Sequence, residues 1–479
     1  MTVSRPSAAD IDAAARHFGF HLDADAQRDY LAAVRTSLGS YDMVDELYDK
    51  LVRPQAPERA FRFPEPGDNP LGAWYVTAEI ASGAAGPLSG RAVAIKDNIA
   101  VAGIPMMNGS RAVEGFVPSR DATVVGRLLA AGATIAGKTV CEDLCCSGSS
   151  FTSASGPVRN PWDTTRETGG SSSGSGALVA AGEVELALGG DQGGSIRIPA
   201  SLCGIVGLKP THGLIPYTGA FPIERTIDHL GPMTRTVADA ALLLTVIARP
   251  DIRDFYALPA DGADYRKGLG GGIKGLRIAF APTLGCHRVE PEVATLVAAA
   301  AKSLRTLGAR VEEAAPELGD YGAIFQTYWF AGAASLLSQF SPAEKRLMDP
   351  GLVATGEAGA KITIADYFAA AKAREAMGLT VARFHERYDL LVLPTLPLAA
   401  FEAGRLTPVT QTGEGWVDWT PFTYPFNLTK QPAATVPCGL TRAGLPAGLQ
   451  IVGRLYDDMT VLRAAAAFEA AHPWPLPPL

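Results

Sequence analysis

Apolar residues recur at helical spacing through residues 7–52, at Ala13, Ala14 and Phe18 and then at Tyr30, Leu31, Val34 and Leu38. Asp23 and Asp25 stand where the second of two helices would begin. Residues 53–90 break the pattern with Pro54, Pro57, Pro64, Pro66, Pro70 and Pro87, which predicts a long arm. From residue 92 the spacing changes. Residues 92–95 read as a strand, 123–131 as a helix and 134–136 as a strand. A short helix over 177–182 and a buried strand over 184–188 follow. Residues 237–248 and 291–307 read as helices, 276–280 and 310–313 as strands. This rhythm predicts an α/β chain with a sheet continuing through it. Helices over 321–340 and 364–388 carry aromatics suited to roofing a pocket. Strands at 390–393, 434–436 and 449–452 and a last helix at 461–471 complete the reading. The aromatic run 415–426, with Trp416, Trp419, Phe422, Tyr424 and Phe426, reads as ordinary packing or as a substrate-side loop. The division expected is a helical N-terminal region with its arm, 1–84, and one large domain, 85–479.

The densest chemistry lies in residues 169–210. G-G-S-S-S-G-S-G at 169–176 and D-Q-G-G-S-I-R-I-P at 191–199 are joined by one short apolar stretch. A turn–helix–strand–turn unit brings Ser171 or Ser172 beside Ser195. Glycine lets backbone N–H groups approach a ligand closely. The amides of Gln192, Gly193 and Gly194 can therefore form an oxyanion hole around a carbonyl attacked by Ser195. Lys96 closes the strand 92–95 and is followed by Asp97 and Asn98. A lysine buried there loses hydration of its charged form and can act as a neutral base.

Composition narrows the function. The chain has 479 residues, 47% of them hydrophobic and 19% charged, so it is globular. A net charge of −7 and the lack of a basic run argue against nucleic-acid partners. No signal-peptide core or bilayer-length apolar run is evident, and a cytoplasmic protein with no membrane partner is expected. Cys141, Cys145, Cys146, Cys203, Cys286 and Cys438 show no metal spacing and read as reduced thiols. No metal and no cofactor are expected.

Three other motifs mislead. Residues 132–139, G-A-T-I-A-G-K-T, match a phosphate-loop pattern, but 133–136 reads as the strand itself, with Lys138 exposed at its end. G-S-S-S-G at 170–174 fits the esterase elbow, yet 164–168 is polar and not strand-like, and neither His385 nor His472 is suitably placed. Asp228 and His229 are adjacent, so on extended backbone they point apart and form a poor triad with Ser195. Cys145 and Cys146, with no histidine nearby, read as pocket-lining or core residues.

Taken together, A-I-K-D-N around Lys96, the two serine–glycine runs, and C-G-I-V-G-L-K-P-T at 203–211 resemble the amidase signature family. The resemblance is strong over 85–245 and weaker from 388. The run 217–232, Y-T-G-A-F-P-I-E-R-T-I-D-H-L-G-P, further resembles bacterial amidases associated with nitrile metabolism. Ser173 stands where many members have glycine. The resemblance implies a large mixed sheet covered by helices on both faces. It implies a Ser–cis-Ser–Lys triad, with Ser195 as nucleophile, Ser171 as the cis serine and Lys96 as base. The amides of 192–195 match the oxyanion hole, and Asp191, Ser172 and Arg197 the supporting hydrogen bonds. Cys145, Cys146 and Ile223 are expected at the substrate. Members act on amides, and some on carbamates, esters or ureas, so a small-molecule amide or carbamate (urethane) is the expected partner. A transamidation subunit, like the A component of the tRNA-dependent amidotransferase, is the alternative. The N-terminal helices, which the core does not need, suit packing against another chain, and a homodimer is expected.

Overall fold

The computed structural model describes residues 3–51, 56–259, 262–284, 288–408 and 416–477. Cys286 and Gly415 lie outside the described residues, as does the side chain of Trp416. Two compact units are formed, Met1–Pro57 and Glu58–Leu479.

The first unit is helical, as its spacing predicts. Helix Ala8–His17 starts at a capping box between Ser7 and Asp10. Helix Ala24–Leu51 follows, and Asp23 Oδ1 accepts from the Ala26 N–H at 2.8 Å. Tyr41, Met43, Val44, Leu47 and Tyr48 on it are exposed.

The second unit is built on a twelve-stranded mixed sheet. Its spatial order is Phe61–Arg62, Trp74–Ala81, Thr134–Thr139, Ala92–Lys96, Leu186–Asp191, His229–Thr234, Val206–Lys209, Ala433–Leu440, Pro446–Gly453, Leu390–Pro394, Arg277–Phe280 and Arg310–Glu313. The period-two rule explains why helices cover both faces. Val93 and Ile95 join one core cluster while Ala94 joins another. Leu390 and Val392 likewise point to one side, Leu391 and Leu393 to the other. Val237–Ile247, Pro291–Thr306 and Asp458–Ala471 supply the first face; Tyr321–Leu337 buries Phe325, Tyr328 and Trp329 on the other. Among the described residues no helix is long and apolar enough to cross a membrane.

Several expectations need correction. Residues 58–84 are not a free arm, because Trp74–Ala81 pairs antiparallel with Thr134–Thr139. Its alternation, which buries Trp74, Val76 and Ile80, was masked by the prolines around it. Residues Asp163–Glu167 form a strand despite their polarity, because they pair outside the main sheet, with Arg159–Asn160 and through an Arg166–Glu402 bridge. The helix expected from residue 177 begins at Ser173, since burial of Ser173 through Ala180 overrides the poor propensity of serine and glycine.

Lys138 is the largest correction. It is fully buried, and its Nζ meets Asp97 Oδ1 at 2.7 Å. The strand Thr134–Thr139 is flanked on both sides by other strands, so no edge of it faces water. Asp97 Oδ2 also accepts from the Met107 and Asn108 N–H groups. Removing one partner of such a pair leaves a buried charge uncompensated. Lys138→Ala is therefore expected to cost about 3–5 kcal/mol in denaturant unfolding, and Lys138→Ala with Asp97→Asn to recover part of that loss.

Candidate active site

Ala92–Lys96 and Leu186–Asp191 run parallel, with Ile95 opposite Leu188. Their carboxyl ends therefore open on the same edge of the sheet, where ligands commonly bind in α/β folds. Lys96 ends one strand and Asp191 the other. Helix Ser173–Ala181 starts at this edge, and the Gly170–Ser171 peptide just before it is cis.

Lys96 is 1% exposed, and its Nζ donates to Ser171 Oγ at 2.7 Å. The Gly190 carbonyl lies 3.5 Å from the same nitrogen. Ser172 Oγ donates to the Gly190 carbonyl at 3.1 Å and accepts from the Gly190 N–H at 3.3 Å. That exchange clamps the serine run to the end of the strand. Ser195 is buried in the turn that follows Asp191. Its hydroxyl and that of Ser171 are not hydrogen-bonded to each other in this structure.

The turn carrying Ser195 is held by an ion pair without solvent. Arg197 Nε and Nη2 donate to the two Asp191 oxygens, each at 2.9 Å. The guanidinium also donates to the Thr423 carbonyl, Gln450 Oε1 and Asn427 Oδ1 at 2.6–2.7 Å. Asn427 Nδ2 returns to Asp191 Oδ1 at 2.8 Å. Burial alone would raise the Asp191 carboxyl. Arg197, with Lys209 and Asn427, outweighs it and holds that carboxyl below its ordinary range. Within the turn, the Gly193 carbonyl accepts from Thr423 Oγ1 at 2.6 Å. Gly194 has φ 136°, and a Cβ there would collide with Thr423. Gln192 is buried, with its Oε1 unpaired among the described residues.

Cys145 is buried, and its sulfur donates to Asn108 Oδ1 at 3.3 Å. Cys146 is half-buried. Ile223 joins the apolar cluster that contains Cys145, Phe325, Trp329, Phe422 and Tyr424, and Phe325 stacks on Tyr424 at 4.6 Å. Trp419, Phe422, Tyr424 and Phe426 are buried. Asp228 Oδ2 accepts from the Ile223 N–H at 3.2 Å, away from His229. His229 Nδ1 lies 2.7 Å from the Ile227 carbonyl, and burial keeps the ring neutral. No Ser195–His229–Asp228 triad exists here. Among the described residues no group of three or more His, Cys, Asp or Glu is placed to hold a metal.

Residues 71–462 match the family model for amidases. The chain belongs to the amidase family. An enantioselective amidase of Rhodococcus rhodochrous is 43% identical over 100% of this chain and 98% of that protein. A glutamyl-tRNA(Gln) amidotransferase component of Exiguobacterium sibiricum is 39% identical over 82% of this chain and 86% of its own length. Among solved structures, a bacterial aryl acylamidase superposes with a TM-score of 0.78 at 26% identity, covering 90% of this chain and 92% of that one. The family accounts for the mixed sheet and for the coarse activity, hydrolysis of amide C–N bonds.

Periodicity did not find Thr423, Asn427 or Gln450, which complete the Arg197 network. The available signal was a polar side chain breaking an apolar run, as in P-F-N-L and L-Q-I-V. Ser173 donates to Glu142 Oε1 at 3.1 Å. Burial, with Glu167 nearby, pushes Glu142 up to about 8. The folded carboxyl thus keeps a proton that the unfolded one has lost above its ordinary range of about 4.3. Unfolding releases that proton, so stability falls as pH rises from there to about 8. Glu142→Gln removes the titration. It should lose about 1–3 kcal/mol less stability than the wild type between pH 6 and 8.5, read by thermal unfolding at both values. Gly194→Ala should reposition the turn and cut turnover by about 100-fold or more, with the fold retained by circular dichroism.

Proposed function

We propose that the protein hydrolyses small, largely apolar amides, and carbamates (urethanes) of similar shape, through an acyl-enzyme on Ser195. Neutral Lys96 takes the Ser171 proton as Ser171 takes the Ser195 proton, and Ser195 Oγ attacks the carbonyl carbon. N–H groups of residues 192–195 hold the oxyanion. The tetrahedral intermediate collapses, the C–N bond breaks, and the amine leaves with the proton returned through Ser171. Water, activated along the same path, then hydrolyses the ester. Cys145, Cys146 and Ile223 line the acyl side, and Ser172, Asp191 and Arg197 hold the frame.

The observation that carries this reading is the buried 2.7 Å contact between Lys96 and Ser171 at the strand edge that leads to the Ser195 turn. The apolar cluster around Ile223 supports an apolar acyl group. We further propose a cytoplasmic homodimer that uses the exposed apolar residues of Ala24–Leu51. A second reading, a transamidation component that works only in a complex, is favoured by the amidotransferase relatives. The enantioselective amidase weighs against it, since that likeness also takes in the N-terminal helices.

The purified chain alone is expected to release amine from an anilide and from the matching carbamate. Ser195→Ala should lower kcat by about 10⁴-fold or more. A lone chain inert on every simple amide would favour the transamidation reading. An active Ser195→Ala variant would remove the serine mechanism.

A further inference from the structure

The turn that carries Ser195 is hydrogen-bonded on the carbonyl side of its peptides. Thr423 Oγ1 donates to the Gly193 carbonyl at 2.6 Å, nearer than the Thr420 carbonyl at 3.1 Å. Asn427 Nδ2 donates to the Asp191 carbonyl at 3.1 Å. His229 Nδ1 lies 3.2 Å from that same oxygen and 2.7 Å from the Ile227 carbonyl. A ring nitrogen facing two carbonyl oxygens carries the proton, so His229 donates there and its Nε2 accepts from Lys209 Nζ at 3.4 Å. The Ile198 N–H donates to the Gly194 carbonyl at 2.7 Å. Thr423, Asn427 and His229 are all buried.

These carbonyls matter through the peptides they belong to. The Asp191 C=O shares a peptide with the Gln192 N–H, the Gly193 C=O with the Gly194 N–H, and the Gly194 C=O with the Ser195 N–H. In a trans peptide the N–H points opposite to the C=O. The carbonyls of Asp191 and Gly193 both meet residues 423–427, so the Gln192 and Gly194 N–H groups both turn away from that segment. A carbonyl that accepts a hydrogen bond draws electron density from its own peptide nitrogen. Its N–H becomes the stronger donor, by about 10–30% per bond in a chain of such bonds.

We propose that Thr423, Asn427 and His229 strengthen the oxyanion hole from behind, by holding the carbonyls of the peptides whose N–H groups meet the oxyanion. They act through the backbone and are positioning residues. The inference rests on the Ser195 reading, with the 192–195 amides as the hole. Its gain falls on the transition state. The N–H groups meet a full negative charge only once Ser195 Oγ bonds to the carbonyl carbon and the C=O electron pair moves onto oxygen. Thr423 is the member that can be tested alone. Asn427 also holds Asp191 Oδ1 and Arg197, and His229 opens its own buried strand. The Thr423 hydroxyl bonds only to carbonyl oxygens among the described residues.

Thr423→Val keeps the shape and removes the hydroxyl. In anilide hydrolysis its kcat should fall about 10-fold, short of the roughly 100–1,000-fold that losing a donor outright costs, with KM changed by less than about 2-fold. An aryl trifluoromethyl ketone distinguishes this from a distorted site. Ser195 adds to its carbonyl carbon, the Ser195 proton passes through Ser171 to Lys96, and the adduct carries an oxyanion. Its inhibition constant should rise about 10-fold in Thr423→Val, and that of the matching secondary alcohol, which forms no adduct, by less than about 2-fold. Thr423→Ser restores the donor and should return kcat to within about 3-fold of the wild type. Unchanged kcat and ketone affinity in folded Thr423→Val, equal losses for ketone and alcohol, or no recovery in Thr423→Ser overturns the inference. Thr423→Ala is read in the same way if the valine variant does not fold. Failure of both to fold also overturns it, because the hydroxyl would then serve the fold and not the rate. Ser195→Ala reports the serine mechanism separately. An inert Ser195→Ala beside a Thr423→Val that turns over like the wild type removes only the strengthened hole.

Discussion

Two opposite charges sealed from water set the position of everything around Ser195. The Asp191 carboxylate ends one strand and the Arg197 guanidinium opens the next helix. Such a pair carries a large desolvation cost unless every donor and acceptor is met. Here Asp191 takes Arg197, Asn427 and the Ile196 N–H, while Arg197 also reaches Thr423 and Gln450. The partners lie more than 220 residues further along the chain. The serine-bearing turn is therefore shaped by the C-terminal strands as much as by its own glycines, and the weaker motif likeness after residue 388 conceals an essential contribution.

Buried cations on this sheet have different partners, and those partners point to different uses. Lys138 meets a carboxylate at 2.7 Å and Arg197 meets one at 2.9 Å. Lys96, equally buried, has no carboxylate within 4.0 Å among the described residues; its oxygens are a hydroxyl and a carbonyl. A lysine locked to a carboxylate is a strut, since its proton is held by the full opposite charge. A lysine facing a hydroxyl has a partner that can trade protons with it. In the proposed mechanism, that contrast between neighbouring strands separates the structural Lys138 from the reacting Lys96.

Much of this fold was legible because apolar spacing survives wherever elements cross the core. The strand at Ala92–Lys96, the helices Val237–Ile247 and Pro291–Thr306 and the late strand Leu390–Pro394 all stand close to their expected bounds. Misreadings arose where tertiary context overrode a local rule. Trp74–Ala81 lay among prolines, and Lys138 broke the expectation that lysine is solvated. For the site, the serine–glycine runs and A-I-K-D-N located the edge that holds Lys96, Ser171 and the Ser195 turn. Periodicity had no means to show that the Cys145 sulfur would turn back onto Asn108. That contact depends on two positive φ angles, at Leu144 and Cys145, in residues that do not advertise them.

The spacing between the two serine runs follows from the same geometry. Helix Ser173–Ala181 leaves the edge, Gly182 at φ 78° ends it, and Leu186–Asp191 returns. Nine helical residues rise about 13 Å and six strand residues about 20 Å. The longer strand therefore carries the chain back to the level of Ser172, where its hydroxyl bonds both polar groups of Gly190. A serine too far from Gly190 for these bonds would leave backbone polar groups unmet inside a dry core, at a cost comparable to a lost hydrogen bond each. The short connector is thus a measured return, and it places the Ser171 hydroxyl on the edge from which the Ser195 turn begins.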